Sequence, residues 1–318
     1  MGKVMKRGAG MIRFIGRRFL NILLSLFVLA TLTFFLMQAV PGNPFLDEKT
    51  PKAAQEALKA FYGLDKPLWQ QYLVYLGNIV QGDLGISYKT PGQTVTQIIS
   101  QSFLYSAKLG IFAIIVSVIV GVALGMISAM YNRKLIDKFA VVISILGISI
   151  PNFVVASVTQ YYIGAEWRWL PVSGLNSPLG YVLPTFALSA LPIAFIARLT
   201  RSSMLEVLTA DYIRTAKAKG MSPLRITLRH GLRNAILPVV TYLGPMSANI
   251  ITGGVVVEKI YNVPGLGQFF TNSVTNRDYP LIMGITLFYA VILMFARFLA
   301  DIGYAMVDPR MKKSSKGG

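Results

Sequence analysis

Long apolar stretches alternate with short charged ones along this chain. Six of them, at 19–46, 109–132, 139–165, 169–197, 234–257 and 279–296, contain no Asp, Glu, Lys or Arg. Each can hold an α-helix that crosses a hydrocarbon core about 30 Å thick, which takes about 20 residues at about 1.5 Å each. A core helix of a water-soluble protein rarely runs so far without a polar face. The pattern predicts an all-α polytopic membrane protein with six transmembrane helices, at about 17–41, 107–130, 139–163, 182–199, 236–257 and 279–306.

Turn residues organise the rest. Pro41-Gly42-Asn43-Pro44 ends the first span, and a segment over 42–106 follows. That segment holds an amphipathic helical pattern at 51–62 closed by Gly63, and a second at 69–80 ahead of Gln81-Gly82-Asp83-Leu84-Gly85. A connection this long with turn signals and helical pieces predicts a folded cap. Pro151, in Ser149-Ile150-Pro151-Asn152-Phe153, predicts a kink in span three, because it frees a backbone carbonyl that a bilayer does not satisfy. Two readings stand: a bend lining a pore, and ordinary packing. Pro151, Asn152, Pro192 and Pro245 are the candidate pore-kink residues. Pro238, Gly244-Pro245 and Gly253-Gly254 in span five, with Pro184 and Pro192 in span four, fit closely packed helices.

Charge then sets the orientation. Net charge is +18, mean hydropathy is +0.56, and only 14% of residues are charged. Assigning the connections to alternate sides places 22 basic and five acidic residues with the N-terminus, leaving nine basic and eight acidic opposite. The Lys/Arg bias of short loops puts the N-terminal side in the cytoplasm, so both termini (1–16 and 307–318) are expected inside. Trp69, Trp167 and Trp169 all fall in external connections, where an amphipathic ring suits a headgroup boundary. No soluble domain gathers the positive charge into one surface, which argues against nucleic acid as a partner. The first apolar run is too long for a secretory h-region and has no small-x-small site before Pro41, so it reads as an uncleaved span. The absence of cysteine excludes disulfides, thiolate metal sites and a thiol nucleophile.

Between spans four and five lies a basic loop, 200–235, expected in the cytoplasm. Asp211 is placed to cap a helix over 212–219, with Gly220 as its left-handed terminal residue. Ser222-Pro223 then starts a second helix, Ser as cap and Pro at its first position, running into span five. The result is a helix–Gly–helix element attached at both ends to spanning helices; a partner pushing on it would move the bundle. The other reading is a basic surface that only fixes topology. The single histidine, His230, has no clustered carboxylate or second histidine, and no Ser/His/Asp set shares one side of the membrane. No G-x-x-x-x-G-K-[ST] sequence occurs, so no P-loop is expected in the chain. An ion-coupled transporter would bury ionisable groups in mid-membrane. Here Arg297 and Asp301 fall near the inner end of the last span, where they can pair or snorkel, and Glu258 reads as interfacial at the outer end of span five.

The loop residues also carry a resemblance. Tyr212-Ile213-Arg214-Thr215-Ala216-Lys217-Ala218-Lys219-Gly220-Met221-Ser222, followed by Arg229-His230-Gly231-Leu232-Arg233-Asn234-Ala235-Ile236-Leu237-Pro238, resembles the "EAA" loop of ABC-importer permeases. Further matches are Gly63-Leu64-Asp65-Lys66-Pro67-Leu68, Gln81-Gly82-Asp83-Leu84-Gly85, Leu170-Pro171-Val172-Ser173-Gly174, Glu258 with Val263-Pro264-Gly265-Leu266-Gly267, and Asp301, Tyr304 and Asp308-Pro309-Arg310. Together they cover nearly the whole chain and are most similar to the B-type permease of oligopeptide and dipeptide importers. Arg214 stands at the first EAA position instead of Glu, so a carboxylate contact there is not implied. Pro238 lies farther from Gly220 than in sugar-type permeases, a spacing similar to peptide-type ones.

The resemblance implies a non-catalytic half-pore with no cofactor of its own, ATP and Mg being held by partner ATPase subunits. It implies four kinds of partner: a second, C-type permease, one or two ABC ATPases, an extracellular solute-binding protein and the lipid bilayer. It places the chain in a bacterial cytoplasmic membrane. The implied coupling residues are Asp211, Tyr212, Arg214, Thr215, Ala216, Lys217, Ala218, Gly220, Ser222, Arg229, His230, Asn234 and Pro238. Glu258, Pro264, Gly265 and Gly267 form a family-like outer motif, and the 258–278 connection and the 42–106 cap are candidates for meeting the binding protein. Peptides are the implied cargo; nickel and glutathione importers have similar permeases.

Overall fold

The computed structural model describes residues 2–40, 56, 60–61, 63–90 and 92–307. The expected helix at 51–62 lies outside the described residues except for 56, 60 and 61, which are helical, as do the tail and the side chains of Asp301 and Tyr304. Among the described residues the secondary structure is helical apart from one isolated antiparallel bridge, Ile86 to Thr94. The described residues divide into two compact units, one within 2–103 with 269–294 and one of 104–268 with 295–307.

In the first unit α1 (Gly2–Ala39) starts before the membrane and contains the first span, Gly16–Ala39, close to the expected 17–41. α2 (Leu68–Val80) lies along it, as the apolar spacing of 69–80 predicts. Phe34 stacks on Tyr75 at 5.4 Å, and the Thr31 and Tyr72 hydroxyls lie 2.7 Å apart. α3 (Val95–Met130) starts about a dozen residues earlier than the expected 107, so the second span and the end of the cap are one helix. The reason is a capping box: the Gln97 amide N–H donates to Thr94 Oγ1 at 3.2 Å, and the Thr94 N–H to Gln97 Oε1 at 3.0 Å. Val95, Ile98 and Ile99 on its first turns are buried. α13 (Tyr279–Val307) matches the expected last span. Buried Asp278 precedes it and accepts from the Ser87 hydroxyl and from the N–H groups of Tyr88 (3.1 Å) and Lys89 (3.3 Å), anchoring the turn before α3.

The second unit is built around α6 (Val182–Leu208), which follows a 3₁₀ turn at Pro178–Tyr181 and runs past the expected end at 199. Proline is tolerated at 192 in a buried position. Gly121 and Gly125, four apart on α3, let that helix meet α6 backbone to backbone. A Cβ at Gly121 would come within 2.8 Å of the Ile196 side chain, and one at Gly125 within 2.6 Å of Thr200 Cβ. This is the close approach that a small-xxx-small spacing permits between apolar helices. Gly147 does the same against Ala194. Leu109, Ala113, Leu188, Ile196, Val239 and Met246 fill the core.

Two expected spans are not single helices. Span three consists of α4 (Leu135–Ser149) and α5 (Asn152–Thr159, continued as a π-helical stretch Gln160–Glu166), bent by 102°. Pro151 therefore breaks the helix instead of kinking it: its ψ of 142° is extended, and Asn152 starts a new helix. Span five is divided as well. After α7 (Asp211–Ala218), α8 (Pro223–Arg225) and α9 (Leu232–Ala235) come α10 (Leu237–Gly253) and, past Gly254, α11 (Val255–Ile260). Then α12 (Leu266–Asn276) leads to α13. Among the described residues four helices are long and apolar enough to cross a membrane, at Gly16–Ala39, Val95–Met130, Pro178–Leu208 and Tyr279–Phe298, or five if the bent pair counts as one broken span.

Candidate functional site

α7 is a short helix with one apolar stripe. Ile213 and Ala216, three apart, are buried against Ile226, with Met221 packed beside them. Asp211, Tyr212, Arg214, Thr215, Lys217, Ala218 and Lys219 are all exposed. Asp211 is not the cap: Ala210 holds that position with extended backbone (φ −67°, ψ 151°) and no side-chain bond. Asp211 is instead the first helical residue, its carboxylate 3.4 Å from Arg214, where a negative charge still suits the helix dipole. At the other end the expectation holds. Gly220 has φ +74° and open space around it. Its N–H reaches the Lys217 carbonyl at 3.0 Å, and the Met221 N–H reaches Ala216 at 3.3 Å, which together are the paired bonds of a Schellman motif with its apolar contact.

The chain then enters α8 at Pro223, as expected after the exposed Ser222, but not as one continuous helix. Ile226–Gly231 widens into a π-helical turn that carries exposed Arg229 and half-buried His230. The Asn234 amide donates to the Tyr212 hydroxyl at 2.8 Å, linking α7 to α9. Gly231 faces Met204 of α6, and Met204, Ala129 and Ala235 form a small buried cluster where α3, α6 and α9 meet. Pro238, half-buried, stands at the start of α10.

A second constellation lies on the same loop side, and sequence reading missed it. Asp137, in the first turn of α4 and only 4% exposed, accepts from Arg201 Nε at 2.7 Å and Arg201 Nη2 at 2.9 Å. It also takes the Ser128 hydroxyl at 2.6 Å and the Arg133 N–H at 2.8 Å. Arg133 itself is left-handed (φ +66°), in the turn between α3 and α4. A lone acid among basic residues was the available signal; its partner is 64 positions away.

In the second unit Glu258, expected at the outer end of span five, is packed inside the protein at 2% exposure. It accepts the N–H of Gly267 at 2.7 Å, that of Gln268 and the Ser106 hydroxyl, while Ser106 Oγ accepts the Leu266 N–H at 2.9 Å. The Glu258…Val-Pro-Gly-Leu-Gly pattern thus supplies acceptors for the otherwise unpaired donors that begin α12. Side chains at Gly265 or Gly267 would strike the carboxylate, whereas Pro264 is exposed. Burial pushes the Glu258 carboxyl up from its ordinary value, and these donors pull the other way. Nearby, Gln160 Nε2 donates to the carbonyls of Val172 (3.0 Å) and Ile260 (2.7 Å), and the Gly174 N–H to Tyr261 (2.8 Å), which holds the Leu-Pro-Val-Ser-Gly turn on α11.

The candidate pore-kink residues differ in exposure. Pro151 and Pro245 are exposed, Asn152 is half-buried, and Pro192 is buried in the core side of α6. Among the described residues no group of three His, Asp or Glu is placed to hold a metal ion.

The family described as "Binding-protein-dependent transport system inner membrane component" matches residues 121–313, and its N-terminal counterpart matches 11–121. The chain belongs to this family. The dipeptide transport system permease protein DppB of Bacillus subtilis (strain 168) is 47% identical over 308 residues, covering 96% of this chain and all of that one. The oligopeptide transport system permease protein OppB of Escherichia coli (strain K12) is 41% identical over 305 residues, covering 95% and 100%. Inward-facing MetNI methionine ABC transporter aligns with TM-score 0.55 at 15% identity, over 67% of this chain and 97% of that chain. An amino acid ABC transporter crystallised with histidines aligns at 0.52 and 18%, over 67% and 95%. These two likenesses show the helical fold alone.

Proposed function

We propose that this chain is one half of the pore of an ATP-driven importer of di- or oligopeptides, with α7 as the element an ATPase subunit grips. The observation that carries this reading is 47% identity, over nearly the full length of both chains, to a dipeptide permease. The shape of α7 supports it: two apolar anchors hold the helix, and the rest of its surface is left for a partner. The imbalance of Lys and Arg supports a cytoplasmic position for that loop and both termini.

The partners are a related second permease, one or two ATPases that hold ATP and Mg, and an external solute-binding protein. This chain performs no catalysis. Approach of the two ATPase subunits draws the paired α7 helices together and favours a pore open to the outside; their release favours one open to the inside, a two-state shift driven by differential binding. Reconstituting the complex in vesicles and comparing dipeptides, longer peptides, nickel chelates and glutathione, with and without ATP, tests the proposal. ATP-dependent accumulation of peptides is expected. Accumulation by vesicles holding this chain alone would overturn it.

A further inference from the structure

The loop that α7 belongs to is braced from one side by an ion pair the proposed function does not use. Arg201 sits on the last turns of α6, about 10 Å along the helix axis before its end at Leu208 at 1.5 Å per residue. Only Thr209 and Ala210 separate that end from α7, so displacement of α7 acts directly on the end of α6. Arg201 grips both oxygens of Asp137, and the same carboxylate takes the Ser128 hydroxyl at the end of α3 and the Arg133 N–H of the α3–α4 turn. Arg201 Nη2 reaches Asn132 Oδ1 in that turn at 3.4 Å. One buried carboxylate thus joins the end of α3, the turn, α4 and α6. Beside it a Cβ at Gly125 would lie 3.1 Å from the Arg201 backbone nitrogen, so α3 contributes no side chain between the two helices there.

Such a joint resists sliding and transmits it. A forked guanidinium–carboxylate pair fixes direction as well as distance, and separating it leaves the buried Asp137 carboxylate without its counter-charge, while Arg201 is partly exposed. We propose that Arg201 and Asp137 are positioning residues for transport: they convert movement of α6, driven through α7, into movement of α3 and α4. The proposal rests on the permease reading above and adds the path by which the ATPase stroke reaches these helices.

The test uses the full complex, with both permeases, the ATPases and the binding protein, in proteoliposomes, reading ATP hydrolysed per peptide accumulated. Arg201→Gln and Asp137→Asn are expected to keep hydrolysing ATP while that ratio rises by about tenfold or more, the scale of an ordinary coupling free energy between sites. Arg201→Gln combined with Asp137→Asn leaves no buried charge unpaired, assembles normally and is still uncoupled. The exchange Asp137→Arg with Arg201→Asp brings the ratio back toward wild type. A purely structural pair would lower uptake and hydrolysis in proportion to the assembled complex, with the ratio unchanged, and that result overturns the proposal. So does an unchanged ratio in the double variant. Absence of ATP-driven uptake by the wild-type complex would remove the permease reading, and this inference with it.

Discussion

The Asn234 side-chain amide donates to the Tyr212 hydroxyl at 2.8 Å across the loop. Tyr212 is on α7 and Asn234 on α9, one turn before α10, so the bond ties the exposed helix to the root of the next apolar one. Because the pair is open to water, it contributes modestly. A double-mutant cycle with Tyr212→Phe and Asn234→Ala is expected to give a coupling of about 0.5 kcal/mol in thermal unfolding of the detergent-solubilised protein. A coupling indistinguishable from zero would mean that the bond does not form in solution.

Gly220 is the second point of control. At φ +74° any side chain strains the backbone even though the space around it is empty. Gly220→Ala should cost about 1 kcal/mol and Gly220→Val more, with Gly220→Asn the mildest. Under the proposed function the valine variant hydrolyses ATP without import. Wild-type uptake by that variant would displace Gly220 from the coupling element.

Two glycines make opposite predictions. Gly125 touches the Ala197 carbonyl and Thr200 of α6, so Gly125→Leu should lower stability by about 1–3 kcal/mol or block assembly, as overpacking does. Gly77, mid-way along α2, has nothing within 4 Å; Gly77→Ala should raise stability by about 0.5–1 kcal/mol through helix propensity alone. Differential scanning of the purified variants separates the two.

Glu258→Ala should destabilise the second unit by about 1–3 kcal/mol, because it strands the N–H groups that open α12 and the Ser106 hydroxyl. Glu258→Gln, which retains one acceptor oxygen, should lose less. Hydrogen exchange at Gly267 and Gln268 reads the effect locally: faster exchange in the alanine variant is expected, and unaltered exchange would show that other groups satisfy those donors.

How far the sequence discloses this arrangement depends on the reach of each interaction. Charge-free runs reveal α1, α6 and α13 because a bilayer demands length and apolarity from a local stretch. Gly220 is legible because the Schellman turn is closed by residues within five positions. The early start of α3 was readable too: Thr94 and Gln97 form a capping box and Val95, Ile98 and Ile99 are spaced for one helical face, but the Ser and Gln residues between them disguise an apolar stretch. Pro151 discloses that span three is disturbed but not by how much, since the 102° bend is fixed by packing on α6. Asp137 with Arg201, and Ser87 with Asp278, join positions 64 and 191 apart. Nothing local marks such pairs. For the same reason the partners of Glu258 are not legible: its place at a helix end is local, but the start of α12 that covers it is brought there by folding.

The bare contact of Gly121 and Gly125 with α6 limits where this protein can flex. At those two positions α3 contributes no side chain and so no rotamers of its own, and the β-branched Ile196 and Thr200 of α6 sit directly against its backbone, which leaves little slack in that stretch. Any yielding during a transport cycle must then concentrate at the chain's interruptions, Ile150–Pro151 and Gly254, where the helical ladder is already open.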